Sequence, residues 1–165
     1  MWLNETDFPP LVEYADRALA NEDLVAVLRT QMEIESDIET LLLKVIPGSE
    51  KLMIEMGFWN KVRAAKSYEL IGKDELTALE GIATLRNHFA HRKDRVLTIE
   101  DDKAIVKSIK GPIKSIYDEM TILVEGMFEE RVGKRARLAM VAVHARLQNL
   151  ASGKASLTDK AVSKT

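Results

Sequence analysis

A chain of 165 residues is long enough for one ordinary domain with a real core, and too short for two comfortable ones. Its 46% hydrophobic and 30% charged residues are ordinary globular composition, and a formal net charge of −2 calls for neither a polyanion nor a membrane. The absence of cysteine excludes disulfides and thiol chemistry and fits a reducing cytoplasm. The opening MWLNETDFPPL lacks the basic-then-apolar layout of a signal peptide, and no apolar run approaches the roughly 20 residues of a membrane span.

Breakers and caps divide the chain into helices, and period-2 alternation is missing throughout. Pro9-Pro10 predicts a short helix to about Ala20. Asn21-Glu22-Asp23 supplies a cap and first-turn acids for a long helix that Pro47-Gly48 stops. Ser49 starts a brief helix to Met56, and a third segment runs from Phe58 to Ile71 before Gly72. Asp74 caps a helix to about Arg92. Thr98 with Asp101 has capping-box spacing and opens a helix ending at Gly111-Pro112. A long final helix, or a pair, runs to about Leu150. The prediction is an all-α, single-domain bundle of six or seven helices over residues 1–151. A flexible basic tail follows over 152–165.

Charge is unevenly spread. From Arg131 onward eight Lys or Arg face one acid, Asp159, whereas the rest of the chain sets 16 against 25. Arg131, Lys134, Arg135, Arg137 and Arg146 thus form a basic arm on an acidic body. It suits a polyanion, an acidic partner or the protein's own acidic surface. The apolar face of its helix is Val132, Ala136, Ala139, Val143, Leu147 and Leu150, with the basic groups spread around the rest. That pattern permits weak, sequence-tolerant phosphate contact and gives no element for reading bases.

Several polar residues fall where apolar ones belong. In the helix from Asp74, Arg86 lies near the middle of an arc built by Leu76, Leu79, Ile82, Ala83, Leu85, Phe89 and Ala90. In the long second helix, Gln31 and Glu35 interrupt the stripe Leu24, Leu28, Ile38, Leu42, Val45. A buried arginine needs a carboxylate or several carbonyls. One reading therefore pairs Glu35 with Arg86 inside the bundle. A second line, Glu80, Thr84, Asn87 and His91, follows helical spacing along a polar edge. His91 is either a helix-end group favoured by the dipole or a general acid or base. His88, His91 and Asp94 lack the converging ligand set of a zinc site, so no metal is expected. No Gly-rich phosphate loop or GxSxG is present, and no cofactor is expected.

The run GFWNKVRAAKSYELIGKDELTALEGIATLRNHFAHRKDRVLTIEDDKAI, residues 57–106, resembles the mannitol operon repressor (MtlR-like) family. The likeness rests on Phe58 and Lys61, Leu70-Ile71 with Glu75, Arg86-Asn87-His88-Phe89-Ala90-His91, and Thr98 with Asp101, in that order. It covers about a third of the chain and leaves out the basic arm. The hexapeptide is also similar to the Arg-x4-His signature of HEPN-type helical domains, many of which are metal-independent ribonucleases. That second resemblance implies Arg86 on the scissile phosphate, His91 as acid or base, and Asn87 orienting one of them, with two motifs meeting across a dimer.

The resemblance to the repressor family implies a regulator acting chiefly through protein contacts, and the reading adopted is a non-enzymatic cytoplasmic homodimer with Arg86 and His91 mainly architectural. The alternatives are a HEPN-type ribonuclease of a toxin–antitoxin or defence system, and an immunity or antitoxin protein that neutralises a partner.

Overall fold

The computed structural model describes residues 22–158 together with Glu13 and Leu19. Among them are seven helices and no strand: α1 (Asp23–Val45), α2 (Glu50–Glu55), α3 (Phe58–Ser67), α4 (Lys73–Ala90), α5 (Ile99–Ser108), α6 (Gly111–Val124) and α7 (Lys134–Ala151). The expected all-α single-domain bundle is what the chain forms. The helix expected from Pro9-Pro10 to Ala20 and the tail from Asp159 lie outside the described residues, although Leu19 itself is buried in the core.

The breakers act mostly where the sequence places them. Pro47-Gly48 ends α1, and Pro112 sits in the first turn of α6, where a missing amide costs nothing. α3 stops four residues before the expected Ile71. Glu69 adopts a left-handed φ of 56°, and the Leu70 and Glu69 amides donate back to Ala65 and Lys66 at 2.9 and 3.0 Å. This is a Schellman end built without glycine. The cap of α4 is Gly72, not Asp74: the Gly72 amide donates to Glu75 Oε2 at 2.9 Å. α5 begins with the expected capping box, in which the Asp101 amide donates to Thr98 Oγ1 at 3.2 Å and the Thr98 amide to Asp101 Oδ2 at 2.8 Å.

Asp101 also takes a forked ion pair from Arg92, which ties the end of α4 to the start of α5. Burial pushes the Asp101 carboxyl up, but Arg92 and the Thr98 amide and hydroxyl outweigh it and hold it below the ordinary 3.8. A carboxyl depressed by folding contributes stability that is whole above its unfolded value and is lost as pH falls through its folded value. An acid-unfolding titration should therefore show this loss below about pH 3.8, and Asp101→Asn should flatten that limb. An Asp101→Asn variant as acid-sensitive as the parent would count against this assignment.

α7 is the axis. α1, α5 and α6 pack around it, with α4 alongside. The unbroken run LAMVAV, residues 138–143, carries apolar side chains around the whole helix, and every residue from Ala136 to Leu147 is buried. The expected single apolar face is too narrow a reading, and Val132, assigned to it, is exposed before the helix starts. Beyond α7 the chain folds back: the Ala155 amide donates to Asn149 O at 3.1 Å, and Arg146 Nη2 donates to Ser156 O at 2.9 Å. Ala155 and Ser156, within the expected tail, are thus bonded back to α7.

Candidate functional site

The expected buried pair of Glu35 with Arg86 is not formed. Glu35 and Glu39, one turn apart on α1, each accept from Lys61 Nζ at 2.5 Å. Lys61 reaches them because Phe58, Lys61, Val62 and Ala65 share the face of α3 that turns to α1, and all but Phe58 are buried. Burial disfavours the ammonium, but the two carboxylates outweigh it and hold Lys61 above its ordinary range. Glu35 already has its cation, and Arg86 is exposed. The architectural account of Arg86 fails.

Arg86 and Asn87 instead line a cleft of about 280 Å3. Its other walls are Gln31 of α1, the turn and first residues of α3 from Gly57 to Asn60, and Ile82 and Ala83 of α4. Gln31 is only 7% exposed. Among the described residues neither the Gln31 amide nor the Arg86 guanidinium has a hydrogen bond or ion pair. Trp59 is 37% exposed at the rim, its ring tilted 57° to Phe58 with centroids 5.9 Å apart. The cleft offers one cation, three carboxamides and two aromatic rings over an aliphatic floor. Such a set holds and orients a ligand; it contains no group that titrates near neutral pH.

His91 lies outside it. It is the C-terminal cap of α4, and with Glu80, Thr84 and Asn87 it forms an exposed edge. On that edge the Thr84 hydroxyl is spent on Glu80 O at 3.0 Å. His88 is exposed as well.

The basic arm needs a larger correction. Lys134, Arg137 and Arg146 are buried among acceptors. Arg146 Nε donates to Glu75 Oε1 at 2.8 Å, and both residues are 3% exposed. Arg137 lies 3.6 Å from Asp23 and donates to Leu19 O at 3.4 Å, while Lys134 Nζ reaches Glu130 and Phe128 O. Of the five, only Arg131 and Arg135 are exposed. Lys134, Arg137 and Arg146 therefore face acids of the bundle itself, and α7 presents no continuous basic surface.

Two further polar groups escape a reading of the sequence. His144 Nδ1 lies 2.5 Å from Asp37 Oδ2, with Glu33 at 3.9 Å from Nε2. Burial raises the Asp37 carboxyl despite the His144 contact. Asp102, on α5, accepts from the Gly133 amide at 2.9 Å and the Ala136 amide at 2.7 Å, and so caps α7 from a different helix. Among the described residues no cluster of His, Asp or Glu is placed to hold a metal ion, and no helix is long and apolar enough to cross a membrane. Comparison with protein-family models, curated proteins and solved structures finds no match for this chain.

Proposed function

We propose that the chain is a non-catalytic regulatory protein that works by binding another protein, as its resemblance to the mannitol operon repressor family implies, and that the Arg86 cleft holds that partner. One observation carries this reading: Arg86 and Asn87 open onto an aromatic-lined cleft from which His91 is missing. Arginine and tryptophan around a small desolvated pocket are the usual anchors of protein recognition. A ribonuclease site needs the phosphate-binding cation and the proton-transfer group on one substrate. On a single helix, residues five apart diverge by about 140°.

A second reading is favoured by the exposure of Arg86, Asn87 and His91, all open to a ligand. A second copy of the chain would then have to supply His91 across a twofold axis, giving a HEPN-type ribonuclease. Purified protein incubated with labelled RNA in EDTA separates the two. We expect intact RNA. We also expect a partner, captured by the parent and identified, to be lost by Arg86→Ala and Trp59→Ala proteins whose helicity matches the parent. Chelator-resistant cleavage that vanishes in His91→Ala would select the ribonuclease instead.

A further inference from the structure

We infer that a second groove, formed where α5, α6 and the start of α7 meet, binds an acidic amphipathic segment of a partner protein. The groove measures about 600 Å3, twice the Arg86 cleft and within the range of ligand sites. Four cations line it: Lys103 and Lys107, one turn apart on α5, Arg131 just before α7, and Arg135 in its first turn. Two acids also line it, and both are already occupied. Asp102 is held by the Gly133 and Ala136 amides, and Glu130 by Lys134. Arg131 donates to Leu19 O. Lys103, Lys107 and Arg135 have no hydrogen bond or ion pair among the described residues. Three exposed cations thus face one groove, where cations outnumber acids four to two, in a chain whose net charge is negative.

The remaining wall decides the class of anion. Ile99 and Val132 are 52% and 47% exposed there, beside the half-buried Val106. Aliphatic side chains open to water between cations match a ligand that alternates apolar and acidic groups. Nucleic acid matches poorly. Binding a single strand wants aromatic faces for bases to stack on, and the groove's one ring, Tyr117, is buried. A long polyanion would also run on past the groove, over a surface where acids such as Glu50, Glu55, Glu80 and Glu125 stand exposed. A short Glu/Asp-rich segment with interspersed Leu or Ile avoids both problems.

The inference rests on the chain being an interaction protein but uses none of the Arg86 cleft, so the two can fail separately. The probe is a labelled synthetic peptide of alternating Leu and Glu, read by fluorescence anisotropy against the full chain. Two controls share its charge: a Gly/Glu peptide without apolar side chains, and a single-stranded RNA. We expect saturable binding of the Leu/Glu peptide that weakens with salt. Lys103→Glu/Lys107→Glu and Arg135→Glu should each weaken it by about tenfold or more. Val132→Ser should weaken it less, and Arg86→Ala should leave it unchanged. All are exposed positions, and each variant is to match the parent's circular-dichroism spectrum before its binding is read. Equal affinity for the Gly/Glu peptide or for RNA, or no loss on charge reversal, overturns the proposal. Loss of binding in Arg86→Ala would move the ligand to the other cleft, and RNA cleavage would sink the interaction reading while leaving the peptide affinities to stand or fall alone.

Discussion

Replacing Arg146 with alanine should lower the unfolding midpoint by roughly ten degrees, since breaking a buried ion pair costs about 3–5 kcal/mol and a domain of this size moves about 2–4 °C per kcal/mol. The pair with Glu75 is almost fully enclosed, so water cannot resolvate the carboxylate left behind. Arg146 also holds the Ser156 carbonyl, so its loss frees the segment folded back over α4 and α7. Glu75→Gln should cost less at α4 itself, because the amide oxygen can still accept from Gly72, yet it strips Arg146 of its counter-charge. The double variant Glu75→Gln/Arg146→Ala should be more stable than the sum of the two single losses predicts. A parent-like melting curve for Arg146→Ala would show that the pair contributes nothing net.

Asp102→Ala should cost about 3 kcal/mol, combining a lost helix cap with two buried amide donors left unsatisfied. α7 has no side-chain cap of its own, and its N-cap residue, Gly133, sits at a φ of 90°. A Cβ there would meet Leu97 at 2.8 Å, so the position that would carry a local cap is confined to glycine. Asp102→Asn keeps one acceptor and should lose about half as much. Amide hydrogen exchange gives the site-specific check: in the Asp102→Ala variant the Gly133 and Ala136 amides should exchange faster than the amides at the far end of α7. If the Ala136 amide stays as protected as in the parent, another acceptor has replaced the carboxylate, and the cross-helix cap is dispensable.

Helix period and breakers make the bundle legible, because each depends on a few adjacent residues. Thr98 and Asp101 are readable for the same reason: a capping box is a local arrangement. Partner choice is not local. Glu35 stands out on a stripe it should not occupy, but the helical wheel gives a direction and no address. Lys61 has the same signature on the stripe Phe58, Val62, Ala65, but the wheel does not say which helix that stripe meets. Arg86 lies within its apolar arc yet meets solvent, because the arc narrows where α1 and the start of α3 part around the cleft. The basic arm misleads for a related reason. Composition counts charges without saying which way they face, and Arg137 and Arg146 face inward toward Asp23 and Glu75. The run LAMVAV holds the corrective signal, since six consecutive apolar residues leave no face for water.

The helix at the centre of the bundle is also the last of the seven to be synthesised. While a ribosome is still making residues before 134, α1, α5 and α6 exist with nothing to close around, and their inward faces stay open to water and to chaperones. Contacts between α1 and α7 join positions about a hundred residues apart, as the bond between His144 and Asp37 illustrates. Folding must therefore wait for nearly the whole chain and close a long loop late, which sets this protein apart from helical bundles assembled by neighbouring hairpins. Premature termination anywhere before α7 should yield not a smaller domain but an aggregation-prone chain.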